Sequence, residues 1–382
     1  MRILHLAGDH YAMGWQHGRQ VHDLRDPILQ AMKKRLAVLE RLPIDTRPHL
    51  AEITAAWEEF NRPTLAMMRG ISAGLELDWE FFLRYTLSSY LADRALRPIP
   101  GQGCTAWGAA GPLTRDAAPI LAKNRDYRPE HRKLQCVVHA RPQRGYAYTY
   151  LTSGGSPGVF SSGMNEKGLA VADTHVTSQE TGPGLARYSV MMALLESCSR
   201  VREACDYLRS FPHLGDGTLT LADADGELAV FEAGHSTQGV IHAEQGYVVA
   251  TNHYVTPGLE AQSVDTSPPE LRGNTLKRYT AVSSALHNSS GSVDIPWARR
   301  LMASHSSPQE AICRHRQYEP YSVTISTVLF LPGTRTLLLA GGLPCRTKFQ
   351  SLQVNDWSSP QAHSPSPPWD PFFSPSPLVR VL

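Results

Sequence analysis

A change of hydrophobic pattern at Pro98-Ile-Pro100-Gly-Gln-Gly103 divides this chain into two unlike parts. Before it, apolar residues recur near a 3.6 period over 24–42, 51–75 and 77–96, punctuated by Pro43, Pro48 and Pro63. That spacing predicts a largely helical segment, 1–103. After it, the apolar runs are short and rich in β-branched and aromatic residues: Pro119-Ile-Leu-Ala, Cys136-Val-Val-His, Leu169-Ala-Val-Ala, Leu219-Thr-Leu-Ala, Leu228-Ala-Val-Phe, Tyr247-Val-Val-Ala. Turn residues separate these runs, and Asp225-Gly226 between two of them is a hairpin signal. Helical patterns interrupt the strands at 189–199, 202–209 and 276–286. Strands, then helices, then strands again predict an α+β sandwich rather than a βαβ-wound sheet. The strand-rich unit spans 104–354, and a Ser/Pro-rich stretch without periodicity predicts a disordered tail over 355–382.

Composition narrows the function classes. The 382 residues can bury a full core. A net charge of +2, with 19% charged residues, gives no electrostatic footprint for nucleic acid or a membrane surface. No apolar run approaches the length of a transmembrane helix, and the opening Met1-Arg-Ile-Leu-His-Leu-Ala is too short and too quickly broken for a signal peptide. Cys104, Cys136, Cys198, Cys205, Cys313 and Cys345 show no Cys-x-x-Cys spacing, and the sixteen histidines show no His-x-His or His-x-x-x-His ligand pattern. The expectation is therefore no metal, no cofactor, no disulfide framework and a reducing compartment such as the cytoplasm.

The chemistry centres on Gly103-Cys104, inside Gly-Gln-Gly-Cys-Thr-Ala-Trp-Gly. A lone cysteine is commonly an inert core residue. Here Gly103 removes side-chain bulk at the preceding bond, and small neighbours suit the first strand of a tightly packed sheet. A thiol becomes an effective nucleophile through a lowered pKa or an adjacent base. An α-amine, with a pKa of roughly 7.7–8.0, can be that base if the bond before Cys104 is cut. Polar segments follow in order: Ala122-Lys-Asn-Arg-Asp-Tyr127, Gly163-Met-Asn-Glu-Lys-Gly-Leu169 and Ala250-Thr-Asn-His-Tyr254.

With these segments and an opening Gly8-Asp-His-Tyr-Ala-Met-Gly14-Trp-Gln-His-Gly18, the chain resembles the acyl-coenzyme A:6-aminopenicillanic acid acyltransferase family (peptidase family C45). More distantly it is similar to penicillin V acylases, bile salt hydrolases and acid ceramidase. The resemblance covers about 5–350. It implies a four-layer αββα sandwich of the N-terminal-nucleophile (Ntn) hydrolase type, made as a precursor that cuts itself before the nucleophile, Cys104.

The resemblance also implies site residues. Asp126 matches the aspartate that bonds the freed α-amine; its alternative reading is a turn residue. Asn165 and Asn252 lie on segments that in relatives hydrogen-bond the oxyanion or substrate carbonyl, a task for an N–H that donates without titrating. A hairpin turn is the other reading of each, above all of Asn165. Arg278 matches an arginine that opens a helix beside the site, with Arg272 a competitor and a solvated helix face the alternative. Lys123, Arg125, Tyr127, Trp107 and His253 are expected to line the substrate pocket, Trp107 as a wall of the acyl site. Bile salt hydrolases carry arginine where this chain has Lys123, and a lysine cannot make arginine's two-pronged bond; this favours the acyltransferase branch.

The expected activity is therefore a self-processing cysteine amidohydrolase or acyltransferase acting on a linear amide or acyl substrate. Its expected partners are that small molecule and its own cleaved N-terminal fragment, with self-association left open. The rivals are a biosynthetic N-acyltransferase with an amine acceptor and an uncut, non-catalytic binding protein. A papain-like protease lacks its Cys-Gly-Ser-Cys-Trp segment here.

Overall fold

The structure is a computed structural model that describes residues 1–41, 45–95, 103–267, 269–305, 307–316, 322–354 and 356. The expected tail, 355–382, lies outside the described residues apart from Asp356.

The N-terminal segment, expected to be largely helical, begins with a strand, β1 (Arg2–Gly8). It pairs in parallel with β4 (Gln135–Pro142), Ile3 opposite Val137 and His5 opposite His139. A strand of this kind depends on a partner over 130 residues away, so no local periodicity announces it. Helices follow: α1 (His10–Gln20), α2 (Arg25–Leu39), α3 (Arg47–Phe60), α4 (Arg62–Gly74), α5 (Trp79–Thr86) and α6 (Ser88–Arg94). The helical pattern over 51–75 breaks in two because Asn61 caps α4 through its side chain, accepting from the Thr64 amide, with Pro63 in the first turn. No helix among the described residues is long and apolar enough to cross a membrane.

The remaining strands are β2 (Gly103–Ala109), β3 (Ile120–Tyr127), β5 (Tyr148–Ser153), β6 (Ser162–Asn165), β7 (Ala170–His175), β8 (Gly217–Ala222) and β9 (Leu228–Ala233). Then come β10 (Gln238–His242), β11 (Tyr247–Ala250), β12 (Val323–Leu331), β13 (Thr336–Ala340) and β14 (Gln350–Gln353). Between them lie α7 (Arg187–Ser197), α8 (Val201–Leu208), α9 (Asn274–His287) and α10 (Ile295–Met302). The strands form two sheets, in the orders β1-β4-β5-β6-β7-β8-β9-β10 and β11-β2-β3-β12-β13-β14. The Asp225-Gly226 hairpin joins β8 to β9, with Gly226 at φ +89°.

Strand alternation assigns the layers. In β4, Cys136 and Val138 face a core shared with the N-terminal helices, α7 and α8. Val137 faces the other way, into a core with Ala106, Leu121, Val328 and Phe330 of the second sheet. The far face of that second sheet presents Trp107, Ala109, Ala122 and Leu329 to Val282, Leu286, Ala298 and Met302 of α9 and α10. Helices, sheet, sheet, helices: this is the four-layer αββα sandwich that the resemblance implies.

The Gly-rich opening has a packing reason. On α1, Gly14 and Gly18 face Gly70 and Gly74 of α4, and the two backbones touch. A Cβ on Gly18 would come within 2.8 Å of the Gly74 Cα, and one on Gly70 would run into the Tyr11 carbonyl oxygen. His17, between those glycines, is wholly buried and accepts a hydrogen bond at Nε2 from the Gly155 amide, 3.1 Å away. The N-terminal helices are thus keyed onto the loop after β5.

Candidate active site

Cys104 stands second in β2 and lines a cleft. It faces the same way as Ala106, toward the other sheet, while Gly103, Thr105 and Trp107 face α9 and α10. Register with β3 sets Arg125 opposite Cys104, Lys123 opposite Ala106 and Asp126 opposite Gly103. Burial pushes the Cys104 thiol above its usual range, against the pull of Lys123. The Cys104 thiol therefore holds its proton rather than standing as a ready thiolate.

The backbone of Cys104 is held at both ends. Its amide donates to Oδ1 of Asn252 at 3.0 Å, and its carbonyl accepts from Nη1 of Arg278 at 2.6 Å. Nη1 of Arg278 also reaches Oγ1 of Thr105 at 2.9 Å, and Nη2 reaches Oδ1 of Asn252 at 2.7 Å. Nε of Arg278 donates to Asn274, one turn earlier on α9. Asn252 gives Nδ2 to the His175 carbonyl at 2.7 Å. Burial, with Arg314 nearby, brings the Arg278 guanidinium down to about 10.

On the helix-facing side of the strand pair, opposite Gly103, Oδ1 of Asp126 accepts from the Thr324 hydroxyl at 2.6 Å. Oδ2 is buried with no hydrogen-bond partner among the described residues. Burial raises the Asp126 carboxyl, with the Arg314 and Arg278 cations opposing it. The Arg314 guanidinium lies over Gly103: a Cβ there would collide with Nη1. A larger residue before Cys104 would have to displace the end of the Arg314 side chain.

The cleft at Cys104 encloses about 60 Å³ and is lined by Arg125, Tyr127, Phe160, Asp173, His175 and Tyr188 among others. It continues into a hollow walled by Arg35, Tyr85, Ser88 and Tyr90 of the N-terminal helices. The Arg125 guanidinium lies 5.6 Å from the Tyr127 ring centroid and 5.9 Å from that of Phe160, the reach of a cation–π contact. A buried ion network forms the floor. Lys123 Nζ is 2.6 Å from Oδ1 of Asp173, whose Oδ2 is 3.3 Å from Nε of Arg187; Nη1 of Arg187 is 2.6 Å from Asp216. Burial raises the Asp173 carboxyl, but Lys123 and Arg187 outweigh it and hold the group below its ordinary range. His175 stands 3.3 Å from Asp93 of α6, tying the helical segment to the same floor.

A model of the acyl-coenzyme A:6-aminopenicillanic acid acyl-transferase family matches residues 113–344, more than half the chain. The chain belongs to that family. The matched residues include Lys123, Asp126, Asn165, Asn252 and Arg278 and begin just after β2, which carries Cys104. An uncharacterized protein of Archaeoglobus fulgidus is 21% identical over 350 residues, covering 78% of this chain and 57% of its own length. This chain therefore spans little more than half the length of that relative. Among solved structures, a mutant conjugated bile acid hydrolase from Clostridium perfringens shares 16% identity at a TM-score of 0.46, covering 66% of this chain and 93% of that one. The Caenorhabditis elegans ortholog of N-acylethanolamine-hydrolyzing acid amidase shares 14% identity at a TM-score of 0.41, covering 60% and 93%. Penicillin V acylase from Agrobacterium tumefaciens shares 16% identity at 0.39, covering 65% and 86%.

In this acyl-transferase family member the structure brings Cys104, Asp126, Asn252 and Arg278 together, with Lys123, Arg125 and Tyr127 beside them. It does not bring in Asn165. That side chain donates Nδ2 to the Leu195 and Cys198 carbonyls and accepts at Oδ1 from the Lys167 and Leu169 amides. Both N–H groups are spent, so none remains for an oxyanion; its place is the turn after β6. Nor is Trp107 a pocket wall. Three residues from Cys104 on a strand, it faces the opposite side, donating to the Met302 sulfur at 3.0 Å and meeting Trp297 edge-on. His253 accepts or donates at Nδ1 with Thr251 and Thr275 and packs on Tyr279, behind Asn252 rather than in the cleft. Burial holds it neutral, down to about 4.

Sequence reasoning missed Asp173, His175, Arg187 and Arg314. A signal existed for the first two, since Ala170-Val-Ala-Asp-Thr-His sets an acid and a base in a buried strand. Arg314 follows no periodic pattern and carried none.

Proposed function

We propose that this chain is a self-processing cysteine amidohydrolase or acyltransferase with Cys104 as its nucleophile. The observation that carries this is the convergence of Asn252, Arg278 and Asp126 on the Gly103–Cys104 peptide. In the processing step, Sγ of Cys104 adds to the Gly103 carbonyl carbon and the bond to the Cys104 nitrogen breaks. Water then hydrolyses the thioester, leaving Gly103 as a carboxylate and Cys104 with a free thiol and α-amine. The new amine has two acceptors at hand: Oδ1 of Asn252, which already accepts from that nitrogen, and the unpartnered Oδ2 of Asp126.

In turnover the α-amine takes the thiol proton as Sγ attacks the substrate carbonyl, then returns it to the leaving amine. The Asn252 nitrogen has two hydrogens, one given to His175; the other is the donor for the tetrahedral oxyanion. Water or an acceptor amine resolves the thioester. The aromatic walls from Tyr85, Tyr127, Phe160 and Tyr188 suit an apolar acyl group, and the N-terminal helices that supply Tyr85 and Tyr90 stay as part of the pocket.

Intact-mass analysis and a denaturing gel of the wild type and Cys104→Ala test this. The wild type is expected as 1–103 plus 104–382 and the variant as one full-length chain. A folded wild type that stays uncut overturns the reading. Fragments with no turnover of linear amides, with or without added amine, overturn the catalytic half alone.

A further inference from the structure

The sequence showed no metal-ligand spacing, yet the fold gathers His305, Cys313, His315 and Cys345 with one ligand atom of each within 4.8 Å of the others. Sγ of Cys313 and Sγ of Cys345 are 3.7 Å apart; Nε2 of His315 is 3.6 Å from the first and 3.4 Å from the second. A tetrahedral zinc ion, with Zn–S of about 2.3 Å and Zn–N of about 2.0–2.1 Å, requires edges of about 3.8 Å between sulfurs and about 3.6 Å between sulfur and nitrogen. Three of the four corners already stand at those separations.

His305 supplies the fourth. Its Nδ1 is 2.8 Å from the Ala303 carbonyl, which can only accept, so Nδ1 carries the proton and Nε2 has the free lone pair. A backbone carbonyl holding the far nitrogen of a ligand imidazole is the usual outer support of a metal histidine. The His305 ring is exposed and 4.7 Å, centroid to centroid, from that of His315, with its ligand atom within 4.8 Å of the other three. Both cysteines are free thiols, Cys313 fully buried.

We propose that His305, Cys313, His315 and Cys345 bind one Zn²⁺ as a closed structural site. Two thiolates and two imidazoles select a soft-to-borderline tetrahedral ion over Mg²⁺ or Ca²⁺. Four protein ligands leave no open position, so the ion ties chain segments together and does no chemistry. The segments it ties are the loop after α10 and the turn after β13. Cys313 and His315 flank Arg314, whose backbone is paired to Thr324 in both directions, N to Oγ1 at 2.8 Å and O from N at 3.0 Å. The Cys313 and His315 side chains meet each other, while the Arg314 guanidinium between them lies against Gly103. The ion thus anchors the back of the segment that delivers Arg314 to the cleavage site.

The full chain, purified with reductant and without chelator, is assayed for zinc by elemental analysis, then stripped and titrated with ZnSO₄ against a chromophoric chelator. About one Zn²⁺ per chain is expected. Cys345→Ser and Cys313→Ser should lose it, and His305→Ala, altered at an exposed position, should bind about tenfold more weakly or worse. Co²⁺ in the stripped protein should give the intense visible bands of a tetrahedral thiolate site. Because a cysteine variant can fail by misfolding, alkylation of the wild type is followed by peptide mass analysis, and Zn²⁺ should protect Cys313 and Cys345. A wild type that takes up no Zn²⁺, a folded Cys345→Ser that binds as tightly as wild type, equal alkylation with and without Zn²⁺, or a Cys313–Cys345 disulfide under reductant each overturns the proposal.

Discussion

Nη2 of Arg278 lies 2.7 Å from Oδ1 of Asn252, and this bond fixes which way the Asn252 amide faces. A guanidinium only donates, so the oxygen must turn toward it. The same oxygen then takes the Cys104 amide, and the nitrogen is left for the His175 carbonyl and whatever stands in the cleft. Arg278 therefore orients Asn252, and Asn252 orients the Gly103–Cys104 peptide.

Removing that oxygen strands two buried donors at once. Asn252→Ala is expected to slow appearance of the 104–382 fragment by about 10²–10³, the usual cost of one oxyanion donor. The measurement is a time course of intact masses from freshly folded protein. Wild-type rates in Asn252→Ala would remove this residue from the site.

Asn165 gives the contrasting case. Its four hydrogen bonds all serve the turn after β6 and the end of α7. Asn165→Ala should lower stability by about 1–3 kcal/mol through the unpaired groups it leaves. Fragment formation at a temperature where the variant is folded should match wild type. A folded Asn165→Ala that does not process would return the residue to the oxyanion role.

The contrast shows what was legible in the sequence. Read from the residues alone, Asp126, Asn252 and Arg278 could equally have been turn or helix-face residues; the resemblance singled them out. Their convergence was not readable from spacing; it came from the resemblance. Trp107 misled because nearness along the chain was weighed above strand alternation, which sets residues three apart on opposite faces. β1 and the His305–Cys345 cluster were invisible for one shared reason. Both depend on contacts between segments tens to more than a hundred positions apart, and a local window has no information on those.

The helix contact beneath the N-terminal signature makes a steric prediction. Gly18 and Gly74 face each other with no room for a side chain, a Cβ on Gly18 falling 2.7 Å from the Gly74 carbonyl carbon. Gly18→Val must push α1 off α4, because backbone atoms cannot yield as a flexible side chain can. The expected loss is about 1–3 kcal/mol or more, seen as a lower urea midpoint. An unchanged midpoint would mean that the helices sit farther apart than described.

His17 carries a pH prediction with a definite sign. Burial takes its imidazole down to about 4, and Nε2 accepts from the Gly155 amide, so the folded chain holds it neutral. An unfolded chain protonates it near pH 6.5. Above pH 6.5 both states are neutral, and its contribution is complete. Between about pH 6.5 and 4 the unfolded state takes up a proton that the folded state refuses, so stability falls as pH falls, by up to about 3 kcal/mol from this group. Burial likewise takes His139, His213 and His253 to about 4, so the wild type should show a steep acid slope in this window. His17→Gln keeps an acceptor for the Gly155 amide but cannot titrate. Urea unfolding at pH 5 and pH 7 should show a smaller difference for His17→Gln than for wild type, by up to about 2 kcal/mol. Equal differences would mean that His17 is protonated in the folded state at pH 5, and that the loop after β5 is held by something other than this bond.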